Sequence, residues 1–174
     1  MEGVSIEVQP NYEVTCLRWL QLANVCWLTI SAYISWTCMS PIGYQVSEHY
    51  GVSLAVVNAL PAMLAIVEIF CSLPFAHLIE EKGASRAILL VSVLNVIGFS
   101  IKLLTNVNFY FCLLGQIFPS IAAQVTLQAS TKFAATWFGP NERVIAVSII
   151  VIAQSVGSAI GYALPVAFFT EDQD

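Results

Sequence analysis

Five stretches of the chain are long and apolar enough to cross a lipid bilayer as helices. They cover residues 17–39, 54–78, 86–105, 108–131 and 144–169, and each is close to the roughly 20 residues that span a ~30 Å hydrocarbon core. Of the 174 residues, 58% are hydrophobic and only 10% are charged, so charged groups cannot coat a water-soluble globule of this size. The sequence therefore predicts an all-α membrane protein with about five transmembrane helices.

Basic residues predict how these helices are oriented, because Lys and Arg concentrate in cytoplasmic loops. If the N-terminus is cytoplasmic, the basic residues on that side are Arg18, Lys82, Arg86, Lys132 and Arg143. Lys102 then falls near the opposite surface. We expect a cytoplasmic tail over residues 1–16, a membrane domain over 17–169 and a non-cytoplasmic tail over 170–174.

Several classes of protein are disfavoured by what the sequence lacks. The basic residues form no patch that could neutralise nucleic-acid phosphates. The cysteines are scattered singly, without metal-ligand spacing, at Cys16, Cys26, Cys38, Cys71 and Cys112. No stretch resembles a Ser/His/Asp set, an H-E-x-x-H site or a phosphate-binding loop. We expect no nucleic-acid partner, no metal, no cofactor and no enzymatic activity.

Polar residues inside the predicted spans indicate which helix faces point inward, because lipid exposure of polar groups is costly. In the fourth span, Gln116, Ser120, Gln124 and Gln128 recur at every fourth position and drift only about 40° per step. This stripe either hydrogen-bonds to neighbouring helices or lines a solute path.

Glu68 is the costliest residue to insert, since it lies near the middle of the second span. A carboxyl there is either a protonated structural group bonded to a neighbouring helix or a group that couples transport to protons. Lys102 is an unsuitable partner because it lies near the outer surface, well away from Glu68.

The fifth span carries small residues at four-residue spacing, at Ala153, Gly157 and Gly161. Such a seam lets a second helix approach closely. In the first span, Trp36 is near the predicted outer end and fits either an interfacial aromatic belt or a pocket wall.

The turn between the second and third spans resembles the loop signature of the major facilitator superfamily, G-x-L-x-D-R-x-G-R-[KR]. It reads A-H-L-I-E-E-K-G-A-S-R over residues 76–86, with Glu80 in place of the Asp and Gly83 retained. The resemblance implies that Glu80, Lys82, Gly83 and Arg86 form a cytoplasmic charge cluster that opens and closes as a gate.

Four further stretches resemble the FLVCR-related group of this superfamily, named for the feline leukaemia virus subgroup C receptor. They are Leu94–Lys102 (L-N-x-x-G-x-x-I-K), Leu114–Gln116 (L-G-Q), Ala135–Arg143 (A-x-W-F-G-P-x-E) and Val156–Pro165. Trp36 precedes Tyr50-Gly51-Val52 much as a tryptophan precedes Y-G-V in that group, which favours the pocket-wall interpretation. Because the group has two six-helix halves, the resemblance implies the first five helices of an N-terminal half, truncated.

The resemblance implies secondary-active or facilitative transport of a small organic solute, with a choline- or ethanolamine-like cation favoured. Trp36 would offer its ring to the cation, and Gln116, Gln124 and Gln154 would orient polar groups. Transport would need the lipid bilayer of the plasma membrane or an organelle, and the missing C-terminal half. The alternative is a five-helix, non-transporting membrane subunit that assembles with itself or a partner through the Ala153, Gly157 and Gly161 seam.

Overall fold

The computed structural model describes residues 16–171 and the side chains of residues 16–168. The helices are α1 (Leu17–Thr37), α2 (Gly43–Tyr50), α3 (Leu54–Lys82), α4 (Ala84–Lys102), α5 (Tyr110–Trp137) and α6 (Arg143–Glu171), with a 3-10 turn over Leu103–Asn106. In the predicted tails, residues 1–15 and 172–174 lie outside the described range. The predicted all-α fold is confirmed.

Within the described residues, four helices are long and apolar enough to cross a membrane: α3, α4 with its 3-10 turn, α5, and α6 up to Phe168. The first predicted span forms α1, whose 21 residues also match a ~30 Å core at about 1.5 Å per residue. Arg18, Gln21 and Asn24 make α1 less apolar than the other four. The five predicted spans thus correspond to five long helices, of which α1 is the most polar.

Helix α5 occupies the centre of the bundle and packs against α1, α3, α4 and α6. Its most apolar stretch has a mean hydropathy of 1.4, the lowest of the four spans, yet 56% of that stretch is buried against 17–28% in the others. Its polar residues lower the hydropathy and are covered by the surrounding helices rather than by lipid. This agrees with the rule that polar groups in a membrane helix face the protein interior.

The stretch between the first two spans is not simply a loop, because it contains the eight-residue helix α2. Val46 of this helix is buried against Val57 and Leu60 of α3. The helix ends at Gly51, whose φ of +64° lies in the left-handed region that favours glycine. Periodicity could not predict α2 because it is only two turns long and largely polar.

Two pairs of helices touch through glycines. A Cβ added to Gly157 would lie 2.8 Å from the Ile30 carbonyl oxygen of α1, and one added to Gly161 would collide with Thr37. The Thr37 hydroxyl donates to the Tyr33 carbonyl and also contacts the Ser158 carbonyl. The predicted seam of α6, with Ala153 buried beside it, is therefore in contact with α1 of the same chain.

The second glycine contact joins α4 to α5. A Cβ at Gly98 would lie 2.5 Å from Pro119 Cδ and 2.8 Å from the Gly115 carbonyl oxygen, while one at Gly115 would lie 2.8 Å from the Gly98 carbonyl oxygen. Each glycine thus admits the backbone of the other helix, as in close helix packing within membranes. The two glycines lie in different helices, so no spacing within either sequence segment predicted the contact.

Candidate functional site

Trp36 lies where α1 approaches α3. Its indole N–H donates to the Pro61 carbonyl oxygen of α3 at 2.9 Å. The ring packs edge-on against Tyr33, with ring centroids 5.7 Å apart and planes at 89°, and the side chain is half-buried. The ring is therefore held between two helices of the bundle, with part of its surface still accessible.

Glu68 lies on the same side of α3 as Pro61, because a separation of two helical turns rotates a side chain by only about 20°. The side chain is exposed, and the described residues give it no hydrogen bond or ion pair. Glu68 therefore lies two turns along α3 from the residue that accepts the Trp36 hydrogen bond.

The polar stripe of α5 faces the interior of the bundle, and its fourth member, Gln128, is half-buried. Gln116 and Ser120 are 1% and 0% exposed, and Ser120 donates to the Gln116 carbonyl of its own helix. Gln124 is 8% exposed and follows Ala123, which packs against Ala32 and Tyr33. Gln124 therefore borders the part of α5 that packs against α1.

Gln116 does not have the position expected of a solute-binding residue. Its amide oxygen accepts a hydrogen bond from Lys102 Nζ, and its amide nitrogen is buried without a partner among the described residues. The amide is therefore enclosed within the bundle, with its oxygen bonded to Lys102. The four-residue period predicted that Gln116 is in the interior. It could not predict that the side chain bonds to another helix, because that depends on the residues of α4.

Lys102 lies at the end of the bundle predicted for it, but the enclosure of its side chain by other helices was not predicted. It is the last residue of α4, but its ammonium lies inside the bundle, where it donates to the Ser35 carbonyl oxygen at 3.0 Å and to Ser35 Oγ at 2.6 Å. Side chains on a helix lean towards its N-terminus. This lean carries a long side chain at the helix end back towards the middle of the bundle.

The third predicted glutamine, Gln154, is half-buried on α6. It directly follows Ala153, whose side of the helix faces α1. It therefore lies at the edge of the α1–α6 contact.

The predicted gate residues lie together at the turn between α3 and α4. Glu80, Lys82 and Arg86 are exposed, and the described side chains show no ion pair among them. Gly83, between the two helices, has a φ of +85° that favours glycine. The turn geometry therefore depends on Gly83, while the charges around it are unpaired with one another.

A different ion pair connects the helices at this end. Arg18 at the start of α1 binds Glu142 in the turn before α6, with a closest distance of 2.5 Å. The Arg18 guanidinium also lies 5.5 Å from the centre of the Phe138 ring. Sequence reasoning missed this pair because the two residues are far apart in the chain, although Glu142 lies in the Ala135–Arg143 stretch singled out above.

Within the described part of the chain, no group of three or more His, Cys, Asp or Glu residues could hold a metal ion. The polar groups gathered in the interior are amides, hydroxyls and one ammonium. Such groups suit binding and helix packing rather than metal-dependent chemistry.

Comparison with known families gives one match that covers most of the chain. The model of the Major Facilitator Superfamily matches residues 25–171. The chain belongs to this superfamily. It is an integral, multi-pass membrane protein, as the four apolar spans and the superfamily together show.

Several curated relatives carry names of the FLVCR-related group, which confirms that resemblance. The choline/ethanolamine transporter FLVCR2 of Homo sapiens is 30% identical over 156 residues, covering 88% of this chain and 30% of the relative. FLVCR1 of Felis catus is 27% identical over 158 residues, covering 90% and 28%. The MFS-type transporter C09D4.1 of Caenorhabditis elegans is 30% identical over 150 residues, covering 85% and 26%. The chain thus spans about a quarter to a third of the length of these relatives.

The stretches that resemble the FLVCR-related group meet in the fold of this superfamily member. Leu94–Lys102 and Leu114–Gln116 supply both sides of the α4–α5 crossing. Ala135–Arg143 supplies Phe138 and Glu142 to the contact with Arg18. Stretches that are separate in sequence therefore form the α4–α5 crossing and the contact with Arg18.

Proposed function

We propose that this chain is the N-terminal segment of a longer transporter that moves a small organic solute, with a choline- or ethanolamine-like cation favoured. Membership of the superfamily supports transport across a membrane. The names of the human and feline relatives support the class of solute. The rest of the transporter would supply the opposite wall of the solute cavity, as the two halves do in this superfamily.

The observation that carries the proposal is the fixed position of the Trp36 ring. Its hydrogen bond to Pro61 and its edge-on contact with Tyr33 restrict how the indole can turn. A ring face that is held in place and partly accessible can attract a quaternary ammonium by a cation–π interaction. Gln124 and Gln154 would orient the polar end of the solute, whereas Gln116 is occupied by Lys102.

The cytoplasmic gate remains part of this proposal. Glu80, Lys82 and Arg86 are exposed around the Gly83 turn, so they are free of one another in the described chain. They are available to pair with charges of the second half when the cytoplasmic side closes. No covalent step is involved, so the proposed protein is a transporter and not an enzyme.

Self-assembly through the α6 seam is less well supported. A non-transporting subunit would need the Ala153, Gly157 and Gly161 side of α6 to be available to a partner. The two glycines already contact the backbone of α1. A partner helix could use this side of α6 only by displacing α1.

Uptake by proteoliposomes tests the proposal. The full-length transporter should take up radiolabelled choline or ethanolamine saturably, whereas the 174-residue chain alone should not, because it lacks the opposite cavity wall. Absence of uptake of both solutes by correctly inserted full-length protein would reject the solute assignment. Saturable uptake by the chain alone would reject the need for a second half.

We further propose that Glu68 couples transport to protons, because it is an exposed carboxylate in the middle of α3 with no bonded partner in the described chain. Glu68→Gln should leave membrane insertion intact, since it removes a charge that is costly in a bilayer. It should also flatten the pH dependence of uptake by the full-length transporter. Glu48→Gln, which changes an exposed carboxylate on α2, is the control. If the pH profile of Glu68→Gln matches that of the control, Glu68 has no role in proton coupling.

A further inference from the structure

The ammonium of Lys102 is fully bonded inside the bundle. A lysine has three N–H donors and no acceptor, and Lys102 has three acceptors: the Ser35 carbonyl oxygen, Ser35 Oγ and Gln116 Oε1. No N–H remains for a solute. Lys102 is therefore not a solute-binding residue, and its charge needs another explanation.

Two of the three acceptors belong to Ser35, near the end of α1. The last four carbonyl groups of a helix have no partner within it, and Ser35 is one of the last four residues of α1, which ends at Thr37. The C-terminal end of a helix also carries a partial negative charge that favours a nearby cation. Lys102 of α4 thus caps α1, and the end of α1 compensates the buried positive charge.

The glycine crossing of α4 and α5 makes this cap possible. The Lys102 side chain crosses Gly115 so closely that a Cβ there would lie 2.7 Å from Lys102 Cγ. The stem can therefore pass between the two helices and reach α1. Any larger residue at position 115 would block that path.

Lys102 also fixes the orientation of Gln116. Because lysine only donates, the amide oxygen of Gln116 must face the ammonium, and the amide nitrogen must turn away. That nitrogen is buried and has no partner among the described residues, which is unfavourable by itself. The bond to Lys102 therefore determines the orientation of the Gln116 amide.

We propose that Lys102 is a positioning residue that holds the outer end of α1, and with it Trp36, in the place required for solute recognition. Ser35, which accepts two of its bonds, directly precedes Trp36. Trp36 is itself bonded to α3 through Pro61. The tryptophan is thus fixed from two sides, by α3 through its own ring and by α4 and α5 through the preceding residue. Its role in recognition rests on the function proposed above, whereas its effect on the position of Trp36 does not.

Quenching of Trp36 fluorescence tests the positioning without any solute. The protein is the 174-residue chain in nanodiscs, with Trp19, Trp27 and Trp137 replaced by Phe so that Trp36 alone emits. Lys102→Met keeps the length of the side chain but removes its charge and donors. It should raise the acrylamide quenching constant of Trp36 and shift its emission to longer wavelength.

Lys132→Met is the matched control. Lys132 Nζ donates to the carbonyl oxygens of Ile79 and Glu80 at the end of α3, so it is the same kind of cap, remote from Trp36. This variant should leave the quenching constant of Trp36 unchanged. If Lys102→Met behaves as the control does, the proposal is overturned. If Lys102→Met fails to insert, Ser35→Ala, which removes one acceptor and keeps the ammonium, is judged by the same two outcomes.

Choline affinity of the full-length transporter provides the second measurement. Lys102→Met should raise the Kd by up to the roughly two- to thirty-fold that a cation–π contact is worth. In the Trp36→Ala background the same substitution should change the Kd little, because the ring it positions is gone. Equal loss in both backgrounds would indicate a general structural role and contradict the proposal. If the full-length transporter binds no choline, the proposed solute is rejected. The quenching comparison still tests whether Lys102 positions Trp36.

Discussion

Gly98→Ala is expected to destabilise the bundle, although alanine is normally the better helix residue. The added methyl carbon would lie 2.5 Å from Pro119 Cδ and 2.8 Å from the Gly115 carbonyl oxygen. A proline ring and a backbone carbonyl cannot move aside as a flexible side chain can, so α4 and α5 must separate. Overpacking of this kind costs about 1–3 kcal/mol, which exceeds the gain of at most about 1 kcal/mol from replacing a helical glycine.

Unfolding by SDS titration, followed by far-ultraviolet circular dichroism, measures this change in the free energy of unfolding. Gly139→Ala is the matched control, because nothing lies within 4 Å of a Cβ at that loop position and its φ is not positive. The control should stay within about 0.5 kcal/mol of the wild type. Equal stability of Gly98→Ala and Gly139→Ala would mean that α4 and α5 do not pack as tightly as described.

Hydropathy predicted the long helices well because each contains an apolar stretch about as long as the hydrocarbon core is thick. The predicted run 54–78 became α3, which ends at Lys82, and the run 108–131 became α5, which ends at Trp137. In both cases the helix continues beyond the apolar stretch into polar residues. The ends were less predictable because helical hydrogen bonds persist in the interfacial region, where hydropathy no longer distinguishes helix from loop.

The interior of the candidate site was predicted in part. The four-residue period of the α5 stripe correctly indicated a buried side, since Gln116, Ser120 and Gln124 are all buried. The period could not indicate which helix each residue faces. Gln116 faces Lys102, and this contact depends on how α4 crosses α5, which a pattern within α5 alone does not contain.

The enclosure of the Lys102 ammonium, which the sequence did not predict, has a physical cause. Counting residues along α4 gives the depth of its Cα, which is near the end of the helix, but the ammonium lies several bonds away. The lean of the side chain and the absence of a side chain at Gly115 determine where that charge is found. The surroundings of a long charged side chain beside a glycine are therefore difficult to predict from its position in the sequence.

Trp36→Ala is expected to weaken choline binding to the full-length transporter by roughly two- to thirty-fold. Cation–π attraction contributes about 0.5–2 kcal/mol, with the larger value where water is excluded, and each 1.4 kcal/mol corresponds to a tenfold change in Kd. The half-buried ring, held by Pro61 and Tyr33, favours the upper part of this range. Trp36→Phe keeps an aromatic face and should retain much of the affinity, although it loses the hydrogen bond to Pro61.

Trp27→Ala is the control that separates recognition from anchoring in the bilayer. Trp27 lies on the same helix but is 73% exposed, so its replacement should affect insertion or abundance rather than the Kd of correctly inserted protein. If Trp36 were only an interfacial anchor, Trp36→Ala would behave as Trp27→Ala does. Binding measured by isothermal titration on correctly inserted protein distinguishes the two cases. Equal Kd values for the wild type, Trp36→Ala and Trp36→Phe would reject recognition of a quaternary ammonium by this ring and leave the superfamily fold unaffected, because the fold rests on α4, α5 and α6 rather than on the indole.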